Sequence, residues 1–194
     1  MLEALYRTAR ALPLGRSKAA DPAHSGVQIQ PAGAEARFAL RVRDAGASAA
    51  GLSLDGPINS LRGNDRRWIA RLGPDEWLVG CDESEADHLP AAIAADLGER
   101  AHAIVDVSHR NVGIDVSGPL AAAVLNAGCP LDLGDAAFPP GSATRTLFGK
   151  AEIVLIRHDG ATPRYRVECW RSFAVYVHGL LAEASLGVGE TARR

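Results

Sequence analysis

ARLGPDEWLVGC, residues 70–81, and IRHDGATPRYRVEC, residues 156–169, are one pattern written twice. Arg71 falls over Arg157, Trp77 over Tyr165, Val79 over Val167 and Cys81 over Cys169, with a slightly longer turn in the second copy. Each copy sets two apolar-rich runs around a turn holding Gly and Pro with Asp, which predicts a β-hairpin. A repeated hairpin implies a repeated fold.

The flanks of the two hairpins repeat as well. In the first half, FALRVR (38–43) alternates apolar and basic residues as a strand does, and DAGASAAGL (44–52) reads as a weak Ala-rich helix or turn. After the hairpin a helix is predicted around 88–97; Pro90 is tolerated only in a first turn, which makes Asp87 the N-cap. HAIVDV (102–107) closes this half as a strand. The second half opens with the strand NVGIDV (111–116). Ser117-Gly118-Pro119 then predicts a helix with proline at its first position, ending at Gly128 before Pro130. Strands follow at ATRTLFG, KAEIVLIRH and YRVECW (165–170). A last helix from about Ser172 to Ala184 puts Phe173, Val177, Leu180, Leu181 and Ala184 on one face. Each half is therefore a split βαβ unit. The fold class is α+β, two ferredoxin-like halves at about 38–107 and 111–185 sharing one core.

These halves make a domain over 34–188, between an arm at 1–33 and a tail at 189–194. The arm is rich in Ala, Pro and Gly and reads as a short helix followed by an extended run. Its composition suits a disordered arm and a partner-gripping one equally. The chain has 194 residues, 47% of them hydrophobic, and a formal net charge of −2. A chain this long buries roughly 70% of its unfolded surface, so it needs no staples. That charge balance lacks the concentrated basic face of a nucleic-acid binder. The only lysines are Lys18 and Lys150, so the positive charge is almost all arginine, which suits interfacial pairing and a GC-rich genome alike. Cys81, Cys129 and Cys169 form no C-x-x-C and read as buried thiols of a reducing compartment. Glu3, Arg7 and Arg10 interrupt the N-terminal apolar residues, giving no signal-peptide core, and no run of 18 apolar residues occurs. A cytoplasmic protein without membrane contact is expected.

VDVSHR (105–110) offers an acid, a serine and a histidine within four positions: Asp106, Ser108 and His109. Along a strand neighbouring side chains point to opposite faces, so Asp106 and Ser108 share a face and His109 points away. A nucleophilic serine needs its base within hydrogen-bond reach and a third group orienting that base. The G-x-S-x-G elbow is missing too. The stretch reads as a polar corner joining the two halves. His102, His158 and His178 show no metal-ligand spacing.

Four stretches carry a resemblance: LGPDEWLVG (72–80), VDVSHRNVGIDVSGPLAAAVLNAGCPLDL (105–133), ATRTLFGKAEIVLIR (143–157) and CWRSFAVYVHGLL (169–181). With the weaker FALRV and LSLDGPINS they cover roughly residues 26–185 in matching order and spacing. In these the chain resembles the gamma-subunit family of heterotetrameric sarcosine oxidase. The resemblance implies the fold of the folate-binding domain of the glycine-cleavage aminomethyltransferase. It also implies a complex that oxidises N-methylglycine to glycine, passes the carbon unit to tetrahydrofolate and sends electrons through flavin to oxygen, forming hydrogen peroxide. In that family the alpha subunit carries NAD and the folate site, the beta subunit FAD, the alpha–beta interface FMN, and the delta subunit zinc. The gamma chain carries no cofactor.

Aminomethyltransferases pair a D-D-x-x-V-Y-R-L strand, source of an essential aspartate, with a Y-T-G-E-D-G-[FY]-E turn that holds the pterin through its glutamate. Here the first reads N-D-R-R-W-I-A-R-L (64–72), keeping Asp65 alone, and the second reads R-H-D-G-A-T-P-R-Y-R (157–166), losing the glutamate to Pro163 and Arg164. Without a buried carboxylate to accept the pterin's donors, binding loses a few kcal/mol. Related Fe–S maintenance proteins carry K-G-C-Y-x-G-Q-E, where this chain has FGKAEIV near Lys150. The expectation is an accessory chain with no catalytic, cofactor or metal residue. Trp77, His109, Arg110, Trp170, Arg171 and Phe173 are its candidate contacts with alpha, beta and delta subunits, with a core position the alternative for Trp77 and Phe173. The charged face bearing Arg164 and Arg166 would meet a partner or water. The competing reading, a stand-alone folate-binding aminomethyltransferase-like protein, needs a pocket carboxylate such as Asp65 or Asp159.

Overall fold

The structure, a computed structural model, describes residues 13–15 and 26–192. The short helix expected at the start of the arm lies outside those residues. Two five-stranded sheets carry the fold. The first contains β1 (Gln28–Pro31), β9 (Asn111–Ser117), β12 (Arg164–Trp170), β11 (Ala151–His158) and β10 (Ala143–Phe148), in that spatial order. The second contains β5 (Ser60–Gly63), β6 (Arg67–Gly73), β7 (Glu76–Asp82), β2 (Glu35–Val42) and β8 (His102–Asp106). A small hairpin of β3 (Ser48–Ala49) and β4 (Leu52–Ser53) stands apart. All pairings are antiparallel.

Period-two alternation decides the layers. One face of the second sheet, with Phe38, Leu40, Trp77 and Val79, packs under α1 (Leu89–Leu97) through Leu89, Ile93 and Leu97. One face of the first, with Ile114, Val116, Tyr165 and Val167, packs under α2 (Ala121–Asn126) and α3 (Ala174–Ala192). The other two faces meet, and Trp68, Ala70, Leu78, Val107 and Ile156 form an inter-sheet core. Trp68 lies flat on Gly80, where an added Cβ would come within 2.1 Å of the indole.

The register makes the duplication literal. Arg71 pairs with Trp77 across its hairpin and sits 5.2 Å over the indole; Arg157 pairs with Tyr165 and sits 5.5 Å over the phenol. Cys81 faces Ala36 and Cys169 faces Val112, equivalent positions in the two sheets. Ser60 and Ser142, equivalent residues, bridge to each other, and around them Leu61 N–H donates to Gly141 O at 2.7 Å while Ala143 N–H donates to Asn59 O at 3.0 Å. These reciprocal bonds mark a local two-fold axis.

β1 lies within the stretch read as an arm, and its partner is β9. β8 likewise pairs with β2. Counted from β1 and from β8, instead of with β8 closing the first half, each half begins with a strand that joins the other half's sheet and then crosses to found its own. The crossings match: Ala32 N–H donates to Gly113 O at 2.9 Å and Val107 N–H donates to Arg37 O at 2.8 Å.

One open alternative is decided, helix against turn after β2, and three local expectations are corrected. The Ala-rich stretch after β2 is the β3–β4 hairpin, because Ala50 and Gly51 both take positive φ (49° and 74°), the requirement of a tight hairpin turn. The N-cap position of α1 is His88, not Asp87, with Pro90 in the first turn. Leu120 caps α2, so Pro119 precedes the helix instead of opening it. A 3-10 turn at Arg171–Phe173 precedes α3, which extends to Ala192, into the stretch read as a tail. Among the described residues, no helix is long and apolar enough to cross a membrane.

Candidate functional site

The acid–serine–histidine stretch is a closed turn. Asp106 Oδ1 accepts the Ser108 N–H at 2.8 Å, and Ser108 Oγ accepts the Arg37 N–H at 2.9 Å. The N–H groups of Arg110 and Asn111 both reach Val107 O at 2.9 Å. Asp106 therefore shapes the backbone, and the serine oxygen is turned onto β2. His109 is exposed. These residues build the crossing from β8 to β9, as an Asx-type turn does.

Asp65, the acid kept in the 64–72 stretch, is held in an ion pair at the rim of a cleft. Asp65 lies just before β6, Arg164 opens β12 and His158 ends β11. Arg164 grips Asp65 with both terminal nitrogens, at 2.9 and 2.5 Å, and His158 Nδ1 stands 3.7 Å from the same carboxylate. The Arg164 hydrogen bonds hold the Asp65 carboxyl below its usual range. Burial, then the charges of Arg164 and Arg166, holds His158 below its ordinary value. The cleft, about 380 Å³, also takes in Asn64, Arg66 and Asp159. Asp65 is spent on the arginine that the sequence places in the turn.

Between the sheets runs a charge network that sequence reasoning missed. Glu168, completely buried, takes Arg37 Nε at 2.7 Å and Arg37 Nη2 at 3.0 Å. Arg166 bonds Asp115 at 2.5 Å and Glu35 at 2.8 Å, and lies 3.5 Å from Glu168. Within β12 Arg166 and Glu168 thus meet the opposite sheet, while Arg164, on the same face of the strand, keeps 37% of its side chain exposed. The alternation in Y-R-V-E-C was the available signal; what hid its meaning was that a second sheet covers that face. Burial pushes the Cys81 thiol up to about 11 and that of Cys169 up to about 12, leaving both protonated and inert.

Of the candidate contacts, Trp77 takes the core alternative. It is 2% exposed, on the face of β7 that packs under α1, because inward positions of that strand alternate through Trp77, Val79 and Cys81. Phe173 is half-buried against the core beneath α3, while His109, Arg110, Trp170 and Arg171 are exposed. Arg171 N–H donates to Arg110 O at 2.7 Å, tying the His109-Arg110 corner to the turn before α3. There Trp170 is 45% exposed, its ring 6.4 Å from Phe173. A cavity of about 650 Å³ opens beside them, reaching Leu14, Glu35, Arg37, Asn111 and Arg171. No group of three or more metal-ligating side chains occurs among the described residues.

Two duplicated, helix-flanked sheets of this kind define the aminomethyltransferase folate-binding-domain fold. The chain superposes on glycine cleavage system aminomethyltransferase T from Bartonella henselae with TM-score 0.62 and 14% identity, over 81% of this chain and 46% of that one. Heterotetrameric sarcosine oxidase from Corynebacterium sp. U-96, solved with pyrrole 2-carboxylate, contains a chain matching at TM-score 0.79 and 23% identity, over 93% of this chain and 96% of that one. The chain belongs to the sarcosine oxidase, gamma subunit family, whose profile matches residues 16–187. Sarcosine oxidase subunit gamma of Corynebacterium sp. (strain P-1) is 31% identical over 112 residues, 57% of this chain and 54% of the relative. That of Arthrobacter sp. is 30% identical over 112 residues, with the same coverage. The match thus spans about half the length of these curated relatives.

Proposed function

We propose that the chain is the accessory gamma subunit of a cytoplasmic sarcosine oxidase complex. The complex oxidatively demethylates sarcosine to glycine and yields hydrogen peroxide and methylene-tetrahydrofolate. This chain performs no chemistry and binds no cofactor; FAD, FMN, NAD, tetrahydrofolate and zinc reside in alpha, beta and delta partners. The observation carrying this reading, beside family membership, is the double grip of Arg164 on Asp65. A carboxylate so held is not free to accept a pterin's donors, which a stand-alone folate enzyme of this fold requires. His109, Arg110, Trp170, Arg171 and Phe173 are the residues assigned to partner contact, a Trp- and Arg-rich set of the kind that dominates interfaces.

The test is a pull-down of the tagged chain from its native cell extract, with an absorbance scan of the eluate. A flavin spectrum that travels with larger chains, and is missing from the purified chain alone, is expected. A colourless, solitary protein would overturn the proposal.

A further inference from the structure

β1 and β8 are the two donated strands, and each is the outermost strand of the sheet it joins. β1 is blunted, because it ends at Pro31, which has no N–H to offer a further strand. β8, HAIVD, holds no proline, and Ala103, Val105 (55% exposed) and Asp106 are open to solvent. Among the described residues no strand lies along its outer side.

The direction of each backbone group on β8 follows from one bond. Val107 N–H points at β2, donating to Arg37 O at 2.8 Å. Alternation then turns Ala103 and Val105 toward β2, and sends the N–H and C=O groups of His102, Ile104 and Asp106 outward. A second copy laid antiparallel along this edge, with Ile104 opposite its own equivalent, brings Ala103 against Val105 and His102 against Asp106. Every outward N–H and C=O of those residues then finds a mate. Shifting the copy by two residues either way sets His102 or Asp106 against Ile104 instead, so this register alone pairs base with acid. The side chains are also prepared for it. His102 Nδ1 donates to Arg100 O at 2.7 Å, leaving Nε2 for the second copy, and Asp106 gives only Oδ1 to the Ser108 N–H.

We propose that two copies of this chain pair β8 to β8, antiparallel about a two-fold axis at Ile104, so that the second sheet continues into its copy. The occupant is a second copy because the edge is complementary to itself in backbone, in apolar contact and in charge. One short strand buries less than the roughly 1,200 Å² of a standard interface, so the association is weak. It does not depend on the function assigned above.

Sedimentation velocity of the full chain, from micromolar to millimolar concentration, reads the association, and the mass should rise from one chain toward two. His102→Asp sets like charges opposite each other and should weaken it about ten-fold or more. His102→Lys loses the same bond to Arg100 O but keeps a cation, and should associate as the natural chain does. The register has its own readout, because Cys81, Cys129 and Cys169 are all buried. Under copper phenanthroline oxidation, Ile104→Cys should cross-link about ten-fold or more faster than Val105→Cys, since only residue 104 faces its own equivalent. Near-UV circular dichroism verifies that each variant is folded. A single-chain mass at every concentration would overturn the proposal. So would equal association in the two His102 variants, or equal cross-linking at 104 and 105. Pairing of this edge only when other subunits are added would assign it to a partner, and would overturn it too.

Discussion

Arg37 of β2 reaches across the inter-sheet space to Glu168 of β12, with both carboxylate oxygens engaged at 2.7 and 3.0 Å. The duplication makes room for this pair. Arg37 faces Gly80 within its own sheet, and Glu168 faces Gly113 within the other. A Cβ at residue 113 would lie 2.7 Å from Glu168 and 2.8 Å from Arg37. Two equivalent strand pairs have been differentiated into one arginine and one glutamate, each opposite a glycine.

Removing one partner of that pair leaves a buried charge uncompensated. Glu168→Gln is expected to lower unfolding stability by about 3 to 5 kcal/mol in urea titration. Replacing both partners, Arg37→Met with Glu168→Leu, should recover most of the loss, since the desolvation cost vanishes with the charges. A double variant as unstable as Glu168→Gln would show that packing at Gly113, and not charge, dominates there.

Trp77 and Trp170 separate core from contact. Trp77→Ala is expected to cost about 3 to 5 kcal/mol of stability, the range for a large buried aromatic. Trp170→Ala should move the melting temperature of the isolated chain little, yet weaken assembly by about 2 kcal/mol or more, near thirty-fold in dissociation constant. Size-exclusion chromatography of the complex against concentration reads the second effect. Unchanged assembly in Trp170→Ala would remove this surface from the interface.

Much of this was open to reading in sequence because repetition is a strong signal. Arg71, Trp77 and Cys81 align with their counterparts in the sequence alone, and the two cation–π pairs occupy the first two of those positions. Reciprocal strand exchange was not readable. β1 and β8 look local in sequence, and alternation says nothing about which sheet accepts a strand. The same limit governed the site. Periodicity put Arg164 and Arg166 on one face of β12, but whether that face meets water or another sheet is a tertiary fact. Trp77 stood open between core and contact for a related reason: an aromatic in a strand carries no mark of which face is covered.

His178 of α3 is 7% exposed, its Nε2 is buried without a hydrogen-bond partner, and burial holds its pKa below the ordinary value of 6.5. Between the folded and unfolded values the unfolded chain binds the extra proton, so stability rises with pH there. The contribution is complete above about 6.5 and is lost as pH falls through the lowered folded value. His178→Phe should flatten the acid limb of a melting-temperature profile below that pH. An unaltered limb would place the acid sensitivity elsewhere.

Asp65 and Arg164 predict two outcomes. Asp65 is largely exposed, so breaking the pair with Arg164→Ala should cost less than about 1 kcal/mol despite its two hydrogen bonds. The pair's share of stability is present above the ordinary carboxylate value and fades as pH falls through the depressed one. Tetrahydrofolate at millimolar concentration should leave the melting temperature of the isolated chain unchanged, because a ligand specific for the native state must raise it. A rise would return the chain to the folate-binding enzymes of this fold.

The exchanged strands make the sharpest demand on the fold. Cutting the chain in the turn at 98–101, between α1 and β8, yields one fragment that carries β1 without the sheet it joins, and another that carries β8 without its own. In either fragment a donated strand has lost its acceptor and an edge stands open: β2 lacks β8, and β9 lacks β1. The inter-sheet core, with the buried Arg37–Glu168 pair, is also divided. Neither fragment should unfold cooperatively by circular dichroism. Mixed in equal amounts, they should regain one cooperative transition and co-elute as a single species. A fragment that melts cooperatively alone would mean that each half closes its own sheet, and that exchange is a consequence of covalent linkage instead of a condition of folding.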